Sequence, residues 1–104
     1  MLYTTTEHLA NQEIIETLGT VTGNIVQSKH LGRDIMASLK TLIGGEIAGY
    51  TEMLVEARQV AVQRMLDEAQ KMNADAVVGV RFTTAAIMEG SSEILAFGTA
   101  VKLK

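Results

Sequence analysis

The amino-acid sequence predicts one α+β domain in two layers, ordered β-α-α-β-β, with a long helix packed on a three-stranded antiparallel sheet in the order 1-3-2. Three observations carry this prediction. Residues Tyr50 to Met72 contain no Pro or Gly and repeat apolar side chains at helical spacing. The stretch from Ile14 to Gln27 and two later segments are rich in the residues that favour strands. Glu89-Gly90-Ser91-Ser92 supplies turn chemistry between those later segments. At 104 residues the chain is a single domain, 1–104.

The first strand runs from Ile14 to Gln27, with Gly19 and Gly23 marking bends or close backbone approach. A short helix is predicted next, because Leu31, Ile35, Leu39 and Leu42 fall four, four and three apart, and Gly44-Gly45 acts as its stop. The long helix follows. On a helical wheel Met53, Ala57, Ala61, Met65, Ala69 and their neighbours fill roughly 200° of arc, against the ~100° that an ordinary surface helix needs. That width fits either a helix sunk deep in its own sheet or one partly covered by a second copy, and the second reading is preferred. Its length, about 35 Å, is large for so small a domain.

Asn73 tolerates the left-handed conformation that ends helices. Two strands are predicted after it, Asp75 to Thr84 and Ser92 to Leu103. In the first, Ala76, Val78, Val80 and Phe82 share one face, opposite Val77, Gly79, Arg81 and Thr83. In the second, Leu95, Phe97, Val101 and Leu103 oppose Ile94, Ala96, Gly98 and Ala100, so neither face is polar enough for water. A two-layer domain covers only one face of its sheet, and self-association is the expected cover for the other. A right-handed crossover through the long helix makes the first two strands parallel and leaves the third between them.

Composition narrows the function classes. Nine Lys plus Arg against twelve Asp plus Glu give a net charge of −3, which argues against nucleic acid and anionic membrane surfaces as partners. There is no Cys, which removes disulfides, thiol nucleophiles and thiolate metal sites. The N-terminus lacks a signal-peptide pattern and no apolar run approaches a membrane span, so the expected location is the cytoplasm.

Gly44-Gly45-Glu46, Tyr50, Ala57-Arg58, Ala61 and Met65, the run ADAVVGVR at 74–81 and the ending FGTAV at 97–101 together resemble the YbjQ-like family, with VTGNIV at 21–26 and Gly32-Arg33-Asp34 in agreement. The resemblance spans nearly the whole chain in order. It implies a dodecin-like β-α-β-β subunit, assembly into ring-shaped pentamers, and a heavy-metal-binding label. Two departures fall in turns: Asn73 stands where members often have Gly, and Ser91-Ser92 where they have Gly-Met.

Side chains that could carry chemistry are few. His30 and Asp34 are four apart, which on a helix is ligand spacing, but two ligands are too few and Gly32 lies between them. His8 is remote. Met53, Met65 and Met72 lie on the apolar side of the long helix, where Met is ordinarily core filler rather than a Cu(I) site. Gly44-Gly45-Glu46 lacks the spacing and Lys of a phosphate loop, and Ser28, Ser38, Ser91 and Ser92 have no recognisable His–Asp setting. Arg58 is the most informative position, because it falls inside the apolar arc. Desolvated there, it needs a carboxylate, with Glu46, Asp34 and Glu93 as candidates; otherwise it reaches out at an edge. It reads as a buried or interface clamp, with Arg81 able to join it.

The sequence therefore points to a self-assembling, non-enzymatic homo-oligomer, with a small ligand or ion bound at subunit interfaces as an extension. The alternatives are a heavy-metal binder and an enzyme whose site forms between subunits around Arg58. No residue pattern names a cofactor.

Overall fold

The computed structural model describes residues 1–27, 42–43, 46–47, 50–88 and 91–104. The elements in chain order are β1 (Leu2–Tyr3), β2 (Ile14–Gln27), β3 (Leu42–Ile43), β4 (Glu46–Ile47), α1 (Tyr50–Lys71), β5 (Ala76–Met88) and β6 (Ser91–Leu103). Both β2 and β5 pair antiparallel with β6, which lies between them as expected. The main sheet nevertheless has four strands, not three. β1 pairs parallel with β5 through Leu2↔Ala76 and Tyr3↔Val77, giving the mixed order β1-β5-β6-β2. Counted along the sheet-forming strands this is 1-3-4-2, which corrects the three-stranded antiparallel 1-3-2. A strand of two residues is too short to carry the period-2 signal by which strands are recognised.

The long helix has nearly its predicted bounds and ends as expected. Asn73 takes φ +59°. Asn73 N–H donates to the Gln70 carbonyl at 3.0 Å and Ala74 N–H to the Ala69 carbonyl at 3.1 Å, the paired bonds of a Schellman cap. The short helix before it needs correction at its end. Leu42, the last of the predicted helical positions, is strand instead: Leu42 and Ile43 pair antiparallel with Ile47 and Glu46 as β3 and β4. Gly44-Gly45, read as the helix stop, lies outside the described residues. The rest of that predicted helix, 31–41, lies outside the described residues.

The core between α1 and the sheet is aliphatic. Ala57, Ala61, Met65 and Ala69 form the buried stripe of α1, and Val21, Val77, Val80, Ile94, Ala96 and Ala100 meet it from the sheet. The three alanines let the helix approach closely, and Gly23 completes the contact: a Cβ there would meet the Ala61 carbonyl oxygen and the Met65 nitrogen. Val55 and Met72, parts of the wide apolar arc, remain 39% and 37% exposed, so the single sheet does not cover the full width of the helix.

The second face of the sheet is covered in part by the chain itself. Ala76, Val78 and Val101 are buried there against Leu9, Ile14 and Leu103. The N-terminal segment thus supplies cover that self-association alone was expected to provide. The strict alternation predicted for β5 also fails. Val77 and Val80 both enter the helix-side core while Ala76 and Val78 face the other way. The cause is a register shift between Val78 and Arg81, where Gly79 takes φ +63° and inserts an extra residue.

Asp75 fastens the helix exit to the end of the sheet. Its carboxylate accepts from Leu103 N–H at 2.9 Å and from Lys102 Nζ at 3.4 Å, while Lys102 Nζ also donates to the Asn73 carbonyl at 2.9 Å. The Leu103 N–H bond above all, with Lys102 beside it, holds the Asp75 carboxyl below its ordinary value of 3.8.

This packing is open to test at two positions. Gly23→Ala should lower stability by at least about 2 kcal/mol in urea unfolding, since α1 must lift from β2 to admit the methyl group; an unchanged midpoint would show that the contact is loose. The lowered carboxyl of Asp75 adds stability that is present above 3.8 and is lost as pH falls through its folded-state value. Asp75→Asn should therefore lower the thermal midpoint at pH 7 and flatten its fall between about pH 5 and 3, relative to the unsubstituted chain.

Candidate functional site

From Arg81 to Met88 every residue of β5 is exposed. One edge of this arm pairs with β6, but β1 reaches only Ala76 and Val77 on the other side. The N-terminal segment extends that cover a little. Thr4 N–H donates to the Val77 carbonyl, Gly79 N–H to the Thr6 carbonyl and Val80 N–H to the Thr4 carbonyl, at 2.8–3.0 Å. Beyond Val80, among the described residues, the outer edge of β5 has no partner strand. The arm Phe82-Thr83-Thr84-Ala85-Ala86-Ile87-Met88 carries no charge and no Pro, and Phe82, Ile87 and Met88 are 44%, 49% and 66% exposed. Natural sheets normally guard a free edge with Lys, Pro or a covering element.

The opposite edge of the sheet is β2. Along its outer side runs an open groove of about 760 Å³ between Thr20–Asn24 and the C-terminal half of α1. Consecutive strand residues line it, so β2 presents its edge there rather than one face. Arg64, Asp67, Glu68 and Lys71 stand over the groove with both signs of charge, which does not suit a site selecting anions. A smaller hollow of about 220 Å³ lies near the end of β2, between Ile25–Gln27 and Met53, Ala57 and Val60. Arg64 Nη1 donates to the Asn24 carbonyl at 2.7 Å, and Asn24 Nδ2 donates to Glu93 Oε2 at 2.9 Å.

Among the described residues, those singled out in the sequence do not gather in one place. Arg58 is exposed on α1, so within one chain it is not the desolvated arginine of the first alternative; it reaches outward. Arg81 holds the N-terminal segment, its Nη1 donating to the Thr5 and Val80 carbonyls at 2.8 and 2.9 Å. Glu93 is bound to Asn24. Asp34, His30 and the side chain of Glu46 lie outside the described residues. Asn24, Arg64 and Asp75 were missed by sequence reasoning. Gly23-Asn24 in mid-strand was the available signal for the first two, since a glycine where a helix lies close leaves its neighbour at the strand edge.

Metal donors fit poorly. Among the described residues no three His, Asp or Glu side chains converge as metal ligands. Met65 is wholly buried in the core, Met72 lies against Gly19 at the far end of α1, and Met88 is on the exposed arm, so these methionines form no soft-metal cluster. Among the described residues no helix is long and apolar enough to cross a membrane.

A family model described as "Putative heavy-metal-binding" matches residues 1–104. The chain belongs to this family, YbjQ. A UPF0145 protein of Psychromonas ingrahamii is 66% identical over 104 residues, covering all of this chain and 99% of that one. A UPF0145 protein of Thermosipho africanus is 62% identical over 104 residues, covering all of this chain and 96% of the relative. Among solved structures, a Pediococcus pentosaceus protein of unknown function from the DUF74 family matches with a TM-score of 0.67 and 17% identity, over all of this chain and 98% of that chain. That likeness carries the fold and nothing more. The family description names a ligand class, whereas the donors described in one subunit do not converge on such a ligand.

Arg81 gives this region its test. Arg81→Met should speed hydrogen exchange at the Gly79 and Val80 amides by about tenfold or more, the equivalent of one hydrogen bond to a charged group. Unchanged exchange would show that the backbone bonds of Thr4 and Thr6 hold the N-terminal segment unaided.

Proposed function

We propose that this protein acts as a self-assembling subunit, with any ligand or ion held where copies meet. The observation that carries this reading is the β5 arm, exposed over Arg81–Met88, uncharged over Phe82–Met88 and, among the described residues, without a partner strand on its outer edge. Arg58, which points outward, and the apolar residues left over on α1 are then available to a neighbour, as an interface clamp and its surroundings.

The family description favours a second reading, heavy-metal binding. Since the donors described in one chain do not converge, such a site draws on several copies, and symmetry multiplies few ligands into a full set. The two readings share one experiment. Native mass spectrometry and light scattering of the unsubstituted protein at about 10 µM should give a defined homo-oligomer, and Ala85→Lys, a charge in the middle of the arm, should give a monomer with the same far-UV circular dichroism. A monomeric unsubstituted protein would overturn the proposal. Elemental analysis of both forms tests the metal: stoichiometric metal retained by the Ala85→Lys monomer would place the site inside one chain and so overturn a site shared between copies.

A further inference from the structure

The N-terminal segment is lightly anchored, yet it lies against a part of β5 that needs a cover. Ala76-Val77-Val78-Gly79-Val80 contains no charge and no Pro and is rich in branched residues. That is the composition of a strand that pairs with other strands wherever its edge is free. We infer that residues 1–8 are an autoinhibitory strap: closed, they occupy this edge, and open, they let the same edge of a second copy add to it. The strap is distinct from the self-assembly reading, which concerns the arm past Arg81.

Three observations lead there. First, the segment satisfies the edge through backbone groups. The Val77 carbonyl accepts from Thr4 N–H, and the Gly79 and Val80 amides donate to the Thr6 and Thr4 carbonyls. In place of a five-residue apolar edge the sheet then ends in the two residues of β1, followed by Thr4-Thr5-Thr6-Glu7. So short an edge, with polar and charged residues beyond it, is a poor template for a further strand.

Second, little besides those bonds holds the segment. No residue from Met1 to His8 is buried, and Leu2 and Tyr3 are 50% and 45% exposed. Its threonines turn to their own segment: Thr4 Oγ1 lies 3.0 Å from Thr6 Oγ1, which donates to the His8 carbonyl at 2.6 Å. Among the described residues Arg81 is the sheet side chain that grips it, donating to the Thr5 carbonyl. A segment that buries so little apolar surface opens at a cost well below that of unfolding the domain.

Third, the segment has a pin and a turn at its inner end. Leu9 packs against the cluster of Ala76, Val78 and Val101, and Lys104 N–H donates to the Glu13 carbonyl at 2.9 Å. Between these pins Gln12 N–H donates to the Leu9 carbonyl across a turn in which Asn11 takes φ +61°. Release of residues 1–8 therefore leaves Leu9 over Val78 and Val101 and bares only the edge. Two such edges meet backbone to backbone without desolvating a charge between Ala76 and Val80.

Thr4→Pro opens the strap directly, because proline cannot donate to the Val77 carbonyl. In native hydrogen exchange the Gly79 and Val80 amides should exchange about tenfold faster, while the Ala61 and Met65 amides of α1 keep their rates. Light scattering at about 100 µM should then show species of at least about twice the mass of the unsubstituted protein. A synthetic peptide of residues 1–8 at about 2 mM, the order of the effective concentration of a tethered strap, should restore the unsubstituted mass. The same peptide with Pro in place of Thr4 should not. Faster exchange without larger species overturns the autoinhibition, as do larger species that the peptide leaves intact. Unchanged exchange, or α1 amides that speed up equally, overturns the separately opening strap. Mass is read relative to the unsubstituted protein, so each outcome is independent of whether that protein is itself an oligomer.

Discussion

At Gly79 the backbone turns through φ +63°, a conformation that costs a side-chain-bearing residue about 1–2 kcal/mol and that glycine adopts freely. A Cβ there would find open space, so the requirement for glycine is conformational and not steric. Much of the molecule depends on this one inserted residue. It sends Val77 and Val80 to the same side, against α1. It turns the Gly79 and Val80 amides outward to the carbonyls of Thr6 and Thr4, which ties down the N-terminal segment. It also aims Arg81 at the Thr5 carbonyl, and there the cover of the β5 edge ends. Past that point the strand continues regularly to Ala86 with, among the described residues, β6 on one side only.

The close contact of α1 with β2 is the complementary constraint. Gly23 and the alanine stripe bring the helix axis toward one edge of the sheet, away from β5. A helix placed this way packs on Val21 and Gly23 of β2 and on the inner face of β6, and leaves every residue of β5 from Arg81 to Met88 exposed. The same displacement carries the charged side of α1 out over the edge of β2, where Arg64 takes the Asn24 carbonyl. One packing decision thus makes both unfinished edges, and it makes them different from each other.

Much of this was legible in the residues. The helix bounds, the stop at Asn73 and the central place of β6 follow from periodicity, local chemistry and handedness, which act over short spans or admit few solutions. What escaped reading depends on tertiary context. β1 is strand only because β5 lies beside it, and the alternation of β5 breaks only because Gly79 is used as a bulge rather than as a small strand residue. Both faces of β6 were expected to need cover, by self-association on the face without the helix, and there Val101 is covered by Leu9 and Ile14 from its own chain. Arg58 sits within the apolar arc on the wheel, yet the arc is wider than the sheet beneath it, so that part of the helix meets solvent in a single chain. Of the candidate site, the apolar excess was readable and its position on the arm and groove was not.

This division bears on how function is to be sought. A cleft enzyme concentrates its polar groups on rigid elements around one cavity. In this chain the polar side chains of note are spent on the backbone: Arg64 on Asn24, Arg81 on Thr5, Asp75 on Leu103, Lys102 on Asn73. Each of these bonds fixes one of the chain's own edges or ends. Among the described residues, what remains is backbone hydrogen-bonding capacity along the outer edge of β5 and an apolar surplus on α1 and β5. Those are the resources of a subunit. Under the proposed self-assembly a ligand site made from them lies at the seam between two chains, and its affinity is then tied to assembly.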